Sequence, residues 1–166
     1  MSGEHTSAAV SGRASGFGLP GRIQAPNSKP RSIALVGLGE GGAAVARGLS
    51  RDLHPELQIH VLAKSAAGGD AVAAIKAGGG DLHRDLMAAD MIFIVARRGD
   101  DVGLAPVVSG IAHSRNHTVT ALYIVPADAP LSEKEDETLK TLRSGVEMLV
   151  IVSDESYVPA MIAALS

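Results

Sequence analysis

The sequence has no cysteine and no tryptophan among its 166 residues, and only two phenylalanines and two tyrosines. Without cysteine the chain forms no disulfide, offers no thiolate to a metal and has no cysteine nucleophile. With so few aromatic rings, the core must be packed from alanine, valine, leucine and isoleucine, within a composition that is 46% hydrophobic. That composition favours buried parallel strands covered by close-packed helices.

Long apolar runs are also missing. No stretch approaches the roughly 20 apolar residues that span a bilayer, and the N-terminus has no continuous apolar segment of the secretory type. The length suffices for one domain with a core of its own but not for two. These features predict a single cytoplasmic domain with no membrane span.

Charge of one sign is not in large excess, since the net charge is −3 at pH 7. The first 31 residues are nevertheless basic and hold Arg13, Arg22, Lys29 and Arg31 against Glu4. The remainder, residues 32–166, is therefore acidic and is predicted to bind no nucleic acid.

The same first 31 residues are rich in serine, glycine, alanine and proline, which predicts a flexible basic tail. The tail is interpreted either as a solubilising leader or as a segment that docks on a protein partner around residues 16–20. Its arginine and serine content is also compatible with an organelle transit peptide.

From residue 32 to residue 166, short apolar runs alternate with helical segments, as in a parallel sheet with crossover helices. Strands are predicted at Ser32–Val36, Gln58–Ala63, Asp90–Ala96, Thr118–Val125 and Glu147–Val152. Helices are predicted at Gly41–Arg51, in parts of Asp70–Ala89, and at Leu104–Arg115, Ser132–Ser144 and Ser156–Leu165. The expected fold is a three-layer, doubly wound, Rossmann-like α/β domain with a mostly parallel sheet of about five strands and a ligand crevice at their carboxyl ends.

One helix start carries a local signature. Ser132 and Glu135 are spaced as a capping box, in which each side chain bonds an otherwise unpaired backbone N–H. We therefore expect the fourth helix to begin at Ser132.

A glycine-rich turn follows the first strand. Gly37, Gly39 and Gly42, with Gly41 beside them, match the G-x-G-x-x-G pattern, in which backbone N–H groups at a helix N-terminus bind phosphate. About twenty residues further on there is no acidic residue for a ribose hydroxyl, although Lys64 could meet a 2′-phosphate. Two interpretations stay open: a nucleotide or dinucleotide phosphate site, and a tight turn whose glycines only allow close packing.

Three blocks resemble the N-terminal nucleotide-binding domain of the FtsZ/tubulin family, and together they cover residues 32–158. Ile33–Leu49 (IALVGLGEGGAAVARGL) resembles the opening strand, glycine loop and helix. Ala89–Val108 (ADMIFIVARRGDDVGLAPVV) resembles a strand that leads into the glycine-rich GGGTGTG signature. Thr118–Val125, with Leu139–Asp154, resembles the strands that follow. The resemblance implies the FtsZ/tubulin type of Rossmann-like fold.

The resemblance also implies a site for GTP or GDP. In that site the glycine turn would be joined by the segment after the third strand, with Arg97, Gly99 and Gly103 as candidate nucleotide-binding residues. Where the family has successive glycines and threonines, however, this chain has ARRGDDVG, and the carboxylates of Asp100 and Asp101 oppose a phosphate.

The last residue of the chain, Ser166, comes before the family's central helix, its catalytic loop and its second domain. We therefore expect a domain that has lost GTPase activity and forms no conventional filament. The preferred hypothesis is a non-catalytic FtsZ-like binding or assembly module, an accessory subunit of a larger protein complex. The alternatives are a weak GTP- or GDP-binding protein, in which Arg97 and Arg98 offset the carboxylates, and a small NAD(P)-binding protein.

Two further pairs of titratable residues have suggestive spacing. His113 and His117 are four apart, as metal ligands on one helical face are, but no third ligand is evident and an exposed helix end is the simpler interpretation. His83 and Asp85 could form an oriented base, although Arg84 between them favours a surface site. No catalytic residue and no metal site is predicted.

Overall fold

The computed structural model describes residues 30–63, 75, 80–129 and 136–165. Five strands form one parallel sheet: β1 (Ile33–Leu38), β2 (Leu57–Leu62), β3 (Met91–Arg97), β4 (Val119–Ile124) and β5 (Met148–Val152). The helices are α1 (Gly39–Gly48), α2 (Gly80–Ala88), α3 (Ala105–His113), α4 (Glu137–Gly145) and α5 (Tyr157–Ala164), with a 3₁₀ turn at Arg51–Leu53. The predicted fold class, a doubly wound three-layer α/β domain, is confirmed.

The strands lie within two residues of their predicted bounds. The largest difference is in β1, which runs past its predicted end at Val36 because Gly37 still pairs with Val61 and Val95 on both sides. The glycine-rich turn is therefore not a separate loop. It is the junction at which the strand ends at Leu38 and the helix begins.

The helices are shorter than predicted. The first begins at Gly39 and ends at Gly48, and the predicted end at Arg51 belongs to the 3₁₀ turn instead. The predicted capping box at Ser132 and Glu135 lies outside the described residues, as do residues 1–29 of the predicted tail and Lys64. The prediction that the fourth helix begins at Ser132 is wrong: it begins at Glu137, because Asp136 is extended and its side chain caps the first turn.

The central strands are buried because they have a strand on either side and helices above and below. Every residue of β1 is buried, and so are five consecutive residues of β3. Continuous apolar sequence is what a strand covered on both faces requires. The apolar runs that predicted these two strands are therefore the side chains that hold the layers together.

Two hydrophobic clusters form, one on each face of the sheet. On one face the buried residues come from α2, α3 and α4, including Leu86, Val108 and Leu142. On the other face they come from α1 and α5, including Val45 and Ile162. This division of helices between the faces makes the sheet doubly wound.

The strand order in the sheet is β2-β1-β3-β4-β5. The order reverses between β1 and β3, and in open α/β sheets ligands bind at the carboxyl ends of the strands beside such a reversal. The glycine junction after β1, which comprises Gly37, Gly39, Gly41 and Gly42, and the segment after β3 therefore face the same crevice. None of the helices in the described part of the chain has the length and hydrophobicity of a membrane-spanning segment.

Candidate functional site

The crevice is built around the start of α1. Gly39 is its first residue, with a left-handed φ of +72°, and Gly41 and Gly42 lie in its first turn. The first N–H groups of a helix have no partner within the helix and carry its positive dipole end. An anion at this position is therefore stabilised.

The anion that occupies this position belongs to the chain itself. The carboxylate of Asp100 accepts hydrogen bonds from the backbone N–H of Gly41 at 2.9 Å and of Gly42 at 2.8 Å. It also accepts one from the backbone N–H of Arg97 at 2.6 Å. Three N–H donors on a carboxylate resemble the cradle that a phosphate would need at the same place.

The glycines allow this close approach. A Cβ added at Gly39 would lie 2.5 Å from the Cβ of Asp100, and one added at Gly42 would collide with the carbonyl oxygen of Val95. Gly37 and Gly41 also have backbone or side-chain atoms of the same region directly against them. The second of the two open interpretations, glycines that permit close packing, therefore has a geometric basis at each of these positions.

Asp100 is held from a second direction. The side chain of Thr138, at the start of α4, donates to the backbone carbonyl of Asp100 at 2.8 Å. Asp100 also donates its own N–H to the carbonyl of Arg97 at 3.0 Å, which closes a turn around Gly99, where φ is +82°. The segment after β3 is thus fixed to both α1 and α4.

The start of α4 is itself anchored to the sheet. The buried hydroxyl of Tyr123, on β4, donates to one carboxylate oxygen of Asp136. The other oxygen accepts from the backbone N–H of Leu139 at 2.9 Å, so Asp136 caps the helix. Burial first, and then the hydrogen bond and negative charge of Asp136, raise the pKa of Tyr123 well above its ordinary value, so the ring keeps its proton.

An open cleft lies beside the crevice, at the carboxyl ends of β3, β4 and β5. Its volume is about 720 Å³, within the range of small-molecule sites. The charged side chains lining it are those of Arg97, Arg98, Asp154 and Glu155, and Ile124 and Pro126 form part of its apolar wall. Arg97 pairs with Glu155, so the cleft presents a neutralised pair rather than a single strong charge.

Gly99 and Gly103 line neither the glycine junction nor this cleft. They face a smaller hollow of about 340 Å³ that is also lined by Asp100, Asp101 and Glu137. The N–H of Gly103 donates to the side chain of Asp101 at 3.0 Å. The structure therefore brings Gly37, Gly39, Gly41, Gly42 and Arg97 together and places Gly99 and Gly103 in an adjoining acidic hollow, which shares Asp100 with the glycine junction.

The histidine pairs have other partners than their spacing suggested. His113 is the last residue of α3 and pairs with Glu147, not with His117. Asp85 pairs with His60, at 2.9 Å, and not with His83. Among residues 30–63, 75, 80–129 and 136–165, no group of three or more histidines or carboxylates is arranged to hold a metal ion.

Three contacts of the site were not anticipated from the sequence: Asp100 on the glycine junction, Thr138 on Asp100, and Tyr123 on Asp136. The first joins residues 58 and 59 positions apart. No local pattern signals such a contact, because it depends on which strands are neighbours in the sheet.

Comparison with models of known protein families gives no match, and comparison with curated proteins gives none either. The function is therefore inferred from the geometry of the described residues.

Proposed function

We propose that this chain is a non-catalytic binding or assembly module with a Rossmann-like fold, in which the glycine junction holds the chain's own carboxylate where a nucleotide phosphate would bind. The observation that carries the proposal is that the Asp100 carboxylate accepts hydrogen bonds from the backbone N–H groups of Gly41 and Gly42, at 2.9 and 2.8 Å. A phosphate could use these donors only after Asp100 had left them.

The environment of Asp100 supports the same proposal. The hydrogen bond from Thr138 and the turn back to Arg97 both hold the Asp100 backbone in place. The neighbouring hollow adds the carboxylates of Asp101 and Glu137, which repel a phosphate. We further propose, from the FtsZ/tubulin resemblance, that the module is a derived member of that family and an accessory subunit of a larger complex.

A second candidate function is weak binding of a nucleotide in the open cleft. The observation that favours it is the pair Arg97 and Arg98 on the wall of a hollow of about 720 Å³. Arginine is well suited to phosphate because its guanidinium donates in a planar fork. For this site to bind phosphate, Arg97 would have to exchange Glu155 for the ligand.

A thermal-shift experiment on the full chain separates the two functions. GTP, GDP, NADH and NADPH are each added at millimolar concentration, with and without magnesium, to the wild type and to Asp100→Ala, Asp101→Ala and Arg97→Ala. A ligand at about 100 times its dissociation constant stabilises a protein by roughly 2.7 kcal/mol, which such a melt detects.

We expect no shift for the wild type or for Asp101→Ala. Asp100→Ala exposes the backbone donors and should be stabilised by the phosphate-bearing ligands. A shift in the wild type contradicts the proposal. If Arg97→Ala removes that shift and Asp100→Ala does not enlarge it, the ligand lies in the open cleft and not on the glycine junction. The binding role itself fails if light scattering and a pull-down detect neither self-association nor a stable protein partner.

A further inference from the structure

The edge strand β5 has the composition of a strand that pairs with another chain. It ends the order β2-β1-β3-β4-β5, and among the described residues it pairs only with β4. Its five residues, MLVIV, include no charge and no proline. Met148 is 58% exposed and Ile151 is 40% exposed. Edge strands normally carry charges, prolines or bulges that block further pairing, and β5 has none of the first two.

The outward backbone groups of β5 can be assigned from its pairing with β4. The carbonyl of Val152 accepts from the N–H of Val125 at 2.9 Å and so points towards β4. Backbone direction alternates along a strand, so Val150 also faces β4. The N–H and C=O groups of Leu149 and Ile151 therefore point outward, where a further strand would bond them.

We propose that β5 pairs antiparallel with β5 of a second copy of this chain, about a two-fold axis that passes through Val150. This pairing would join the two sheets into one. The pairing would make a second copy of the chain the partner of the proposed binding module. The geometry of the pairing is independent of the proposed function, and only its biological role rests on that function.

The backbone geometry supports this register. With Val150 on the axis, Leu149 lies opposite Ile151 of the second copy, and both residues direct their backbone groups outward. Such directly opposed residues exchange two hydrogen bonds in an antiparallel ladder. A shift by one residue would set outward groups against groups already bonded to β4, so it is excluded.

The side chains select the same register. With Val150 on the axis, Met148 lies opposite Val152, so each apolar residue of β5 meets another apolar residue. Glu147, which precedes the strand, lies opposite Ser153. A two-residue shift in one direction would set Met148 against Asp154 and Leu149 against Ser153, so that apolar residues of the strand would lie opposite polar residues beyond its end. A shift in the other direction would set Glu147 against Ile151.

The opposite edge of the sheet is less suited to this role. β2 contains Gln58 and His60, and His60 already pairs with Asp85 of α2. These two polar side chains interrupt the apolar sequence of β2, which otherwise has no charged residue and no proline either. The uninterrupted apolar sequence is therefore a property of β5 and not of both edges.

A pair of five-residue strands buries less surface than the roughly 1,600 Å² of a standard interface. We therefore expect a dimer that forms and dissociates with concentration, with a dissociation constant in the micromolar range, and not a permanent dimer. The mass of the full chain should be measured by light scattering and sedimentation from about 1 to 500 μM, as expected for this class of interface.

The wild type should rise with concentration from 16.9 kDa towards twice that mass. Ile151→Lys keeps the backbone but sets a charge on the edge, and should weaken the dimer about tenfold or more. Tyr157→Lys is the matched control, because Tyr157 is also exposed and apolar but lies on α5 and not on the edge. Circular dichroism checks that both variants fold. A wild type that stays monomeric, or a dimer that Ile151→Lys leaves unchanged, overturns the proposal.

A cysteine introduced on the axis tests the register directly, because the chain has no cysteine of its own. In the proposed pair, Val150 faces itself at a position without hydrogen bonds, where Cα atoms lie about 4.5 Å apart, within the range that a disulfide accepts. Val150→Cys should therefore cross-link into a dimer under mild oxidation. Tyr157→Cys should not do so at the same rate, and equal cross-linking of the two variants contradicts the register.

The two proposals fail independently. A monomer that binds a different protein overturns the β5 pairing and leaves the binding role standing. A dimer that is also stabilised by GTP keeps the pairing and removes the argument that the glycine junction is closed to phosphate.

Discussion

Replacing Asp100 by alanine tests the contact on which the functional argument depends. In the folded chain its carboxylate accepts from the N–H groups of Gly41, Gly42 and Arg97, at distances of 2.6 to 2.9 Å. A hydrogen bond to a charged group contributes roughly 1.5–3 kcal/mol, but water can reach this half-buried site and replace part of what is lost. We expect a loss of about 3 kcal/mol in the free energy of unfolding, or about 10 °C in Tm for a domain of this size.

The controls for this variant come from the same segment. Asp101 is exposed and accepts from the nearby N–H of Gly103, so Asp101→Ala should cost less than about 1 kcal/mol. Asp100→Asn keeps the shape and one acceptor oxygen but loses the charge, and should fall between the two. Urea unfolding followed by circular dichroism gives all three values. Equal losses for Asp100→Ala and Asp101→Ala would refute the reasoning that the Asp100 carboxylate holds the junction.

Three further predictions concern the residues that hold the site in place. Tyr123→Phe removes the donor to Asp136 and should cost about 1–2 kcal/mol near neutral pH. Because folding raises the pKa of Tyr123, the free energy of unfolding of the wild type should fall as the pH rises above the ordinary tyrosine pKa of about 10. Urea unfolding from pH 8 to 11 should show a smaller fall for Tyr123→Phe, which has no group to titrate at this position. Gly42→Ala sets a Cβ against the carbonyl of Val95 and should lower the free energy of unfolding by about 2–4 kcal/mol. Gly48→Ala is the control, because a Cβ there would have no atom within 4 Å, and in thermal melts it should be neutral or slightly stabilising.

The fold class could be predicted from the sequence because the patterns that indicate each strand and helix are local. A strand such as β3 is a run of apolar residues between polar ones, and that run is what burial on both faces requires. The alternation of such runs with helical segments predicted the doubly wound sheet. The glycine pattern after β1 likewise predicted where α1 begins, to within two residues.

The exposure of the edge strand β5 could not be predicted from the sequence. The sequence of β5 is as apolar as that of an inner strand, and nothing in it says that one side is uncovered. Met148 and Ile151 are exposed because β5 comes last in the order β2-β1-β3-β4-β5, and strand order is set by how the crossovers are wound.

The sequence by itself determined the fold class, the approximate position of each strand and the presence of a glycine junction that could receive an anion. Only the tertiary structure decided which anion sits there. Asp100 reaches Gly42 because β3 lies beside β1 in the sheet, which brings the carboxyl ends of two strands to one crevice. The physical reason is that local propensities act over a few residues, whereas this contact joins residues 58 positions apart and exists only once the strands have paired.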